Sequence, residues 1–321
     1  MSVYTQVGLP ELVTLLERYP LGTLVSLSGM TNGIDNSNYR LETSGGVYVL
    51  TLIENSAQVE RLPQLLALLT HLSKNAIPCP LPIADNSGQL LQQLAGKPAL
   101  LVNLLPGCSP TAPTAGECYQ VGQLLANIHR VGQHFSPQPS NLNGLPQWRM
   151  LLDRLRPLLF EQQPELLRQI EQEIDRLSDG FFNQSMPAGL CHSDLFPDNS
   201  LFVDGKLTGV LDFHFACHEQ LIYDVAIMIN AWGFQADGSP NLDRLRALWQ
   251  GYCALRPPVT EELVAFNDAL RAAAMRFLLT RLRDRYFPRT GQQVLRKPPE
   301  EYLTRLQFHQ QHRAFLQFEG L

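Results

Sequence analysis

The stretch LCHSDLFPDNSLFVDGKLTGVLDF, residues 190–213, constrains the fold more than any other part of the chain. Short apolar runs at 188–191, 201–203 and 207–211 read as strands, and Asp204-Gly205 between the last two is a strong hairpin signal. The segments that flank them carry acids and amides in place of plain turn residues. On both sides the chain turns amphipathic, with helices expected at about 114–134, 148–178, 218–233, 241–254, 260–287 and 298–316. A β island set among helices excludes an all-β architecture and requires an α+β one.

Upstream the pattern changes. Residues 22–53 read as three strands with Gly45-Gly46 turning between the second and third. Residues 57–74 then place Val59, Leu62, Leu65, Leu66, Leu69 and Leu72 on one helical face, and Pro78, Pro80 and Pro82 end it. A second hairpin is expected over 88–94 and 98–104, around Ala95-Gly96-Lys97. The 321 residues suit two domains. They are expected at 1–105, a compact antiparallel-sheet lobe, and 106–321, a larger and mainly helical lobe.

The net charge of −5 argues against a nucleic-acid-binding domain of the usual basic kind. From Arg271 onward there are ten Lys and Arg against four Asp and Glu, so the C-terminal segment is cationic while the rest is acidic. No run approaches the ~18 uninterrupted apolar residues of a membrane span. The six cysteines form no C-x-x-C pair, and the first twenty residues read as a helix instead of a secretory leader, so a reduced, cytoplasmic protein is expected. His214 and His218 are four apart but lack an H-E-x-x-H pattern, so no zinc site is assigned to them.

His192, Asp194 and Asn199 fit H-x-D-x-x-x-x-N, and Asp212 closes the hairpin that follows. Protein kinases use this spacing because transfer of a phosphoryl group needs one carboxylate to orient the nucleophile's proton and separate oxygen ligands for magnesium. Asp194 suits the first role, and Asn199 and Asp212 the second. His192 joins Asp194 at the catalytic position as a hydrogen-bonding residue that holds the loop, since its two ring nitrogens can tie separate backbone groups.

HSDLFPDN, LDF and Tyr223-Asp224 together resemble the aminoglycoside/choline phosphotransferase superfamily, which shares the two-lobe protein-kinase-like fold. Within it, SGMTNGIDNSNYRLET, VYVLTLIE, IPCPLPI, LDFHFACHEQLIYDVAIMINAWGF, LRAAAMRFLLTRLRDRYFPRTG and KPPEEYLTRL are similar to the homoserine kinase family. The resemblance implies ATP, Mg2+ and phosphorylation of the side-chain hydroxyl of L-homoserine. It covers nearly the whole chain.

Several further site residues follow. The loop SGMTNGIDNSN takes the place of a glycine-rich flap, so Ser28, Gly29, Asn32, Gly33 and Asn38 are expected to contact phosphate. Asp35 in the same loop would repel phosphate and is assigned to magnesium or the substrate's ammonium. Val102 and Leu104, flanking Asn103 at the end of the last strand of the first lobe, are expected to offer backbone groups to adenine. One departure stands out: where the third strand of the superfamily carries a phosphate-binding Lys, this chain has Thr51.

An amino-acid acceptor needs a planar cation for its carboxylate. The resemblance marks Arg276 and Arg281 as family-typical, either as contacts to the substrate carboxylate or as tethers of their helix, and Trp148-Arg149 stands where the family has paired aromatics; Trp148 is placed on the substrate side. His129 ends its helix at a position where the family also has His. Two alternatives stay open: a kinase for another small alcohol, such as choline, hydroxylysine or an aminoglycoside, and a pseudokinase-like binding protein, which the missing strand Lys favours.

Overall fold

The computed structural model describes residues 4–30, 36–54, 59–288 and 297–312. It divides into two compact units, 1–107 with 208–211, and 108–207 with 212–321.

The first unit is an antiparallel sheet in the order β1-β2-β3-β5-β4, built from β1 (Leu24–Gly29), β2 (Ser37–Thr43), β3 (Gly46–Leu52), β4 (Leu91–Leu94) and β5 (Lys97–Asn103). Period-2 alternation gives the sheet two apolar faces. Ala99 and Leu101 join Leu41, Leu50 and Leu52 against Leu12, Leu15 and Leu16 of α1 (Leu9–Leu16). Leu100 and Val102 join Ile53 and Val49 against Leu62 and Leu65 of α2 (Leu62–Lys74). The β2–β3 turn falls one residue earlier than the sequence suggested, on Ser44-Gly45, because Thr43 pairs with Gly46. Gly45 is required there, since a Cβ would lie 2.5 Å from the Leu21 carbonyl oxygen.

In the second unit, α3 (Ala115–Gly132) opens on a capping box formed by Thr114 and Glu117. It packs closely on α7 (Leu242–Cys253). A Cβ at Gly122 or Gly251 would lie 2.2 Å from the Leu248 carbonyl and 2.0 Å from the Tyr119 carbonyl respectively, so only glycine lets the two backbones approach. The single helix expected over 148–178 is instead two, α4 (Leu145–Gln162) and α5 (Pro164–Asp179). Pro157 is accommodated inside α4, whereas the residue before Pro164 leaves the helical region at φ −148°, ψ 61°.

β6 (Ala188–Cys191) leads to the catalytic-type loop, and β7 (Ser200–Val203) pairs with β8 (Lys206–Val210). The helix expected from residue 218 begins later. Residues 217–220 form β9 (Cys217–Gln220), antiparallel to β6 with Cys191 opposite Cys217. His214 and His218 therefore do not share a helical turn. The chain then enters α6 (Leu221–Trp232), buried on nearly every side, and continues through α8 (Thr260–Tyr286) and α9 (Glu300–Gln311). No helix among the described residues is long and apolar enough to cross a membrane.

Candidate active site

The loop after β6 is pinned from below. Asp224, fully buried on α6, accepts the His192 N–H at 2.7 Å and the Ser193 N–H at 2.8 Å, one on each carboxylate oxygen. These bonds hold Ser193 at φ 64°, a conformation few non-glycine residues adopt. Arg276 on α8 donates to the Ser193 carbonyl from the other side. The next residue, Asp194, is aimed by its neighbours: its N–H donates to His192 Nδ1 at 3.2 Å and its carbonyl accepts from Phe196 N–H at 2.9 Å.

Asn199 returns to Asp194 as its spacing predicts. Its Nδ2 donates to the Asp194 carbonyl at 2.8 Å and to Oδ2 at 3.2 Å. Asp212 adopts φ 60°, ψ 66°, and its side chain caps the short 3-10 turn Phe213–Phe215 through the His214 N–H at 3.4 Å. Burial and the neighbouring Asp212 carboxylate push the Asp194 carboxyl up to about 7, while Arg276 and Lys297 draw it down. A base poised near neutrality follows from this arrangement.

Asp224 itself heads a buried chain. His129 Nε2 lies 3.1 Å from its Oδ2, His129 Nδ1 lies 2.8 Å from the Tyr252 hydroxyl, and Arg256 donates to that hydroxyl at 2.8 Å and to Glu262. Every partner is satisfied when Nε2 carries the proton and Nδ1 accepts from Tyr252. Burial opposes ionisation of Asp224, yet the His129 hydrogen bond and the loop N–H groups hold its carboxyl below the usual range. Cys191 completes a His129, Cys191, Asp224 trio with metal-ligand atoms within 4.8 Å. Burial pushes the Cys191 thiol well up, and the other two side chains are committed to hydrogen bonds, so the trio serves the loop.

The remaining sequence candidates divide. Arg276 is 4% exposed, with its guanidinium 4.7 Å over the Phe277 ring, so it steadies the catalytic loop in place of the expected bidentate substrate clamp. Arg281 takes the second of its two expected roles, the tether. It pairs with Glu301, donates to the Pro298 carbonyl and lies 4.4 Å over Tyr302, tying α8 to α9. Trp148 is 2% exposed, its indole N–H donates to the Asn143 carbonyl and its ring packs edge-on to Phe182, which makes it a core residue.

In the first unit, Ser28 and Gly29 end β1 opposite Arg40 and Tyr39, and Asn38 lies on β2 opposite Thr51. Asn32, Gly33 and Asp35 lie outside the described residues. Thr51 Oγ1 donates to Asn38 Oδ1 at 2.7 Å, so a neutral cross-strand bond occupies the position of the superfamily's lysine. Val102 departs from the adenine-hinge expectation: it is interior to the sheet, paired with Val49 and bridged to Pro82. Leu104 is the first residue past the end of β5.

Sequence reasoning gave no role to Asp224, Tyr252 or Lys297. Asp224 and Lys297 do stand in quoted motifs, which is the signal that would have found them. A model of the phosphotransferase enzyme family matches residues 26–258.

The chain belongs to the phosphotransferase enzyme family. This phosphotransferase is 42% identical to a homoserine kinase of Xanthobacter autotrophicus over 310 residues, which is 97% of this chain and 96% of the relative. It is 41% identical to a homoserine kinase of Rhodopseudomonas palustris, again over 310 residues, 97% of this chain and 95% of the relative. Among solved structures it is similar to a spectinomycin phosphotransferase bound to ADP and spectinomycin, with a TM-score of 0.66 at 15% identity over 95% of this chain and 94% of the other. An amicoumacin kinase bound to AMP-PNP and Ca2+ gives the same TM-score at 14% identity over 94% and 92%. At these identities the structural matches establish the fold, which is protein-kinase-like.

Proposed function

We propose that this phosphotransferase is an ATP-dependent homoserine kinase of the cytoplasm, forming O-phospho-L-homoserine. The observation that carries the reading is the loop in which Asp194 stands beside Asn199 and Asp212, pinned by Asp224 and Arg276. Similarity to homoserine kinases over 97% of the chain supports the choice of acceptor.

Asp194 orients the acceptor hydroxyl and takes its proton as the oxygen attacks phosphorus. Asn199 and Asp212 hold Mg2+. The donors fit, because the Asp212 carboxylate and the Asn199 amide oxygen are the hard oxygen ligands such a dication prefers, and the upward push of Asp212 on Asp194 is the kind a cation relieves. When bound, the ion neutralises charge on the nucleotide phosphates. Ser28, Gly29 and Asn38 offer neutral donors to those phosphates, and Leu104 offers backbone to adenine.

A coupled ADP-release assay over homoserine, choline, hydroxylysine and an aminoglycoside tests the acceptor. Mg2+-dependent turnover should be greatest with homoserine. A higher kcat/KM for any of the others would replace homoserine, and ADP release with none of them would remove the kinase reading.

A further inference from the structure

A phosphoryl group in flight needs a cation, and Thr51 supplies none. In the first unit Lys97 pairs with Glu54 at 3.3 Å, Arg40 with Glu42 at 2.8 Å and Arg18 with Asp85 at 2.8 Å, none of them a residue of the catalytic loop. In the second unit Arg276 is buried and committed to the Ser193 carbonyl.

Lys297 differs from all of these. It precedes α9, and its Nζ lies 2.7 Å from Asp198 Oδ2 and 5.3 Å over the Phe196 ring. Both partners belong to the catalytic loop: Phe196 donates its N–H to the Asp194 carbonyl, and Asp198 directly precedes Asn199, whose amide bonds Asp194. The Lys297 side chain is 51% exposed and that of Asp198 59%, and a pair so exposed is worth at most about 1 kcal/mol, so it opens readily. The lysine stem is flexible, and a compact ammonium suits the spread charge of a phosphoryl group better than the two-pronged edge of a carboxylate.

We propose that Lys297 leaves Asp198 to bind the phosphoryl group as it passes to the acceptor beside Asp194. The inference rests on the kinase reading of this loop. In the step, the bond from the leaving nucleoside diphosphate oxygen to phosphorus breaks and the bond from the acceptor oxygen forms. The hydroxyl proton goes to Asp194, and Lys297 stays protonated throughout.

The test compares Lys297→Met, Lys297→Arg and Asp198→Asn in the full chain, with kcat and both KM values from ADP release and Tm from a thermal melt. Lys297→Met should lower kcat roughly 100-fold, the typical cost of losing one transition-state donor, with homoserine KM within about threefold and Tm unchanged. Lys297→Arg should recover most of the loss. Asp198→Asn, which frees Lys297 and lifts one like charge from Asp194, should lower kcat far less than Lys297→Met. Equal losses in Lys297→Met and Asp198→Asn would reduce Lys297 to a loop tether. A rise in homoserine KM at unchanged kcat would move it to the acceptor carboxylate, and wild-type kcat in Lys297→Met would end the assignment. If wild type prefers another alcohol, the same comparison is made on that alcohol. A wild type that phosphorylates no acceptor fails at the kinase reading itself, whereas an active wild type with an unaffected Lys297→Met fails only here.

Discussion

The two units place charge differently. In the first unit, the polar groups at the start of β2 and the end of β3 are neutral or mutually cancelled: Thr51 bonds Asn38, and Glu54 accepts from Ser37 and Thr5 and pairs with Lys97. In the second unit the loop after β6 brings Asp194 under the influence of the Asp212 carboxylate and holds the strained Ser193 with a buried acid below and a buried guanidinium above. Under the proposed function, this contrast would give neutral recognition of phosphate oxygens to the sheet and charge-driven chemistry to one over-determined loop. Carboxylates crowded in this way remain only where the surroundings enforce it.

The largest effect should come from Asp194→Asn. The substitution preserves shape and the Asn199 contact to the backbone carbonyl but removes the base, so kcat should fall on the order of 10²–10⁴-fold while ATP affinity, measured by titration calorimetry, stays put. Activity within threefold of wild type would break the comparison at its centre.

Asp224→Asn tests whether the loop is pinned as described. One of its two atoms becomes a donor facing the N–H of His192 or Ser193, leaving a buried donor unmatched at a cost of roughly 1–3 kcal/mol. Both Tm and kcat should drop, although Asp224 touches no substrate. A variant with wild-type kcat would mean that Ser193 keeps its φ without help.

The units should also part company in acid. His309, buried on α9 with Nε2 2.7 Å from Asn230 Oδ1, is pushed down to about 3, first by burial and then by Arg305 and Arg271. Below an unfolded value near 6.5 the unfolded chain binds this proton and the folded one does not, so His309 withdraws stability from the second unit from about pH 6.5 down toward 3, while Asp194, pushed up to about 7, takes a proton in the folded state first and returns stability over the range from about 7 down to the ordinary carboxylate value. At pH 5 the loss from His309 is about 2 kcal/mol. In the first unit, hydrogen bonds from Ser87 and the Gln89 N–H hold Asp85 ionised, and Ser37, Thr5 and Lys97 do so for Glu54 against burial. Their contributions persist until the pH falls below the ordinary carboxylate range. Hydrogen exchange at pH 7 and pH 5 should therefore show His309→Gln keeping more of its protection in α6, α8 and α9 at pH 5 than wild type does, with no such difference in the sheet. Protection lost equally in variant and wild type would contradict it.

Much of this was legible in the chain because it is local. Alternating apolar residues placed the five strands of the sheet, Asp204-Gly205 placed the β7–β8 turn, and the five-residue spacing from Asp194 to Asn199 is itself the geometry that lets an amide reach back. What escaped is non-local. β9 reads as the start of a helix because CHEQ has no alternation of its own and becomes a strand only by pairing with β6. Asp224 reaches the loop across 32 residues of sequence, His129 reaches Asp224 across 95, and Lys297 reaches Asp198 across 99. Trp148 misled, and Arg281 left two roles open, for the converse reason. A cation or an indole in a family-like motif looks available until the fold supplies Glu301 or the Asn143 carbonyl.

The smallest expected effect bears on the sheet side of the comparison. Thr51→Val keeps the β-branched shape that suits β3 and deletes only the hydroxyl that donates to Asn38. The lost hydrogen bond should cost about 1 kcal/mol, visible as a small fall in Tm, and the KM for ATP should rise modestly as Asn38 loses its fixed orientation. Since Thr51 carries no charge, kcat at saturating ATP should hold within about twofold. That outcome would separate it from Lys297, whose loss is expected in kcat. If Thr51→Val instead lowered kcat as steeply as Asp194→Asn, the sheet would be contributing directly to the transition state, and the division between neutral recognition and charged chemistry would have to be redrawn with Thr51 on the chemical side.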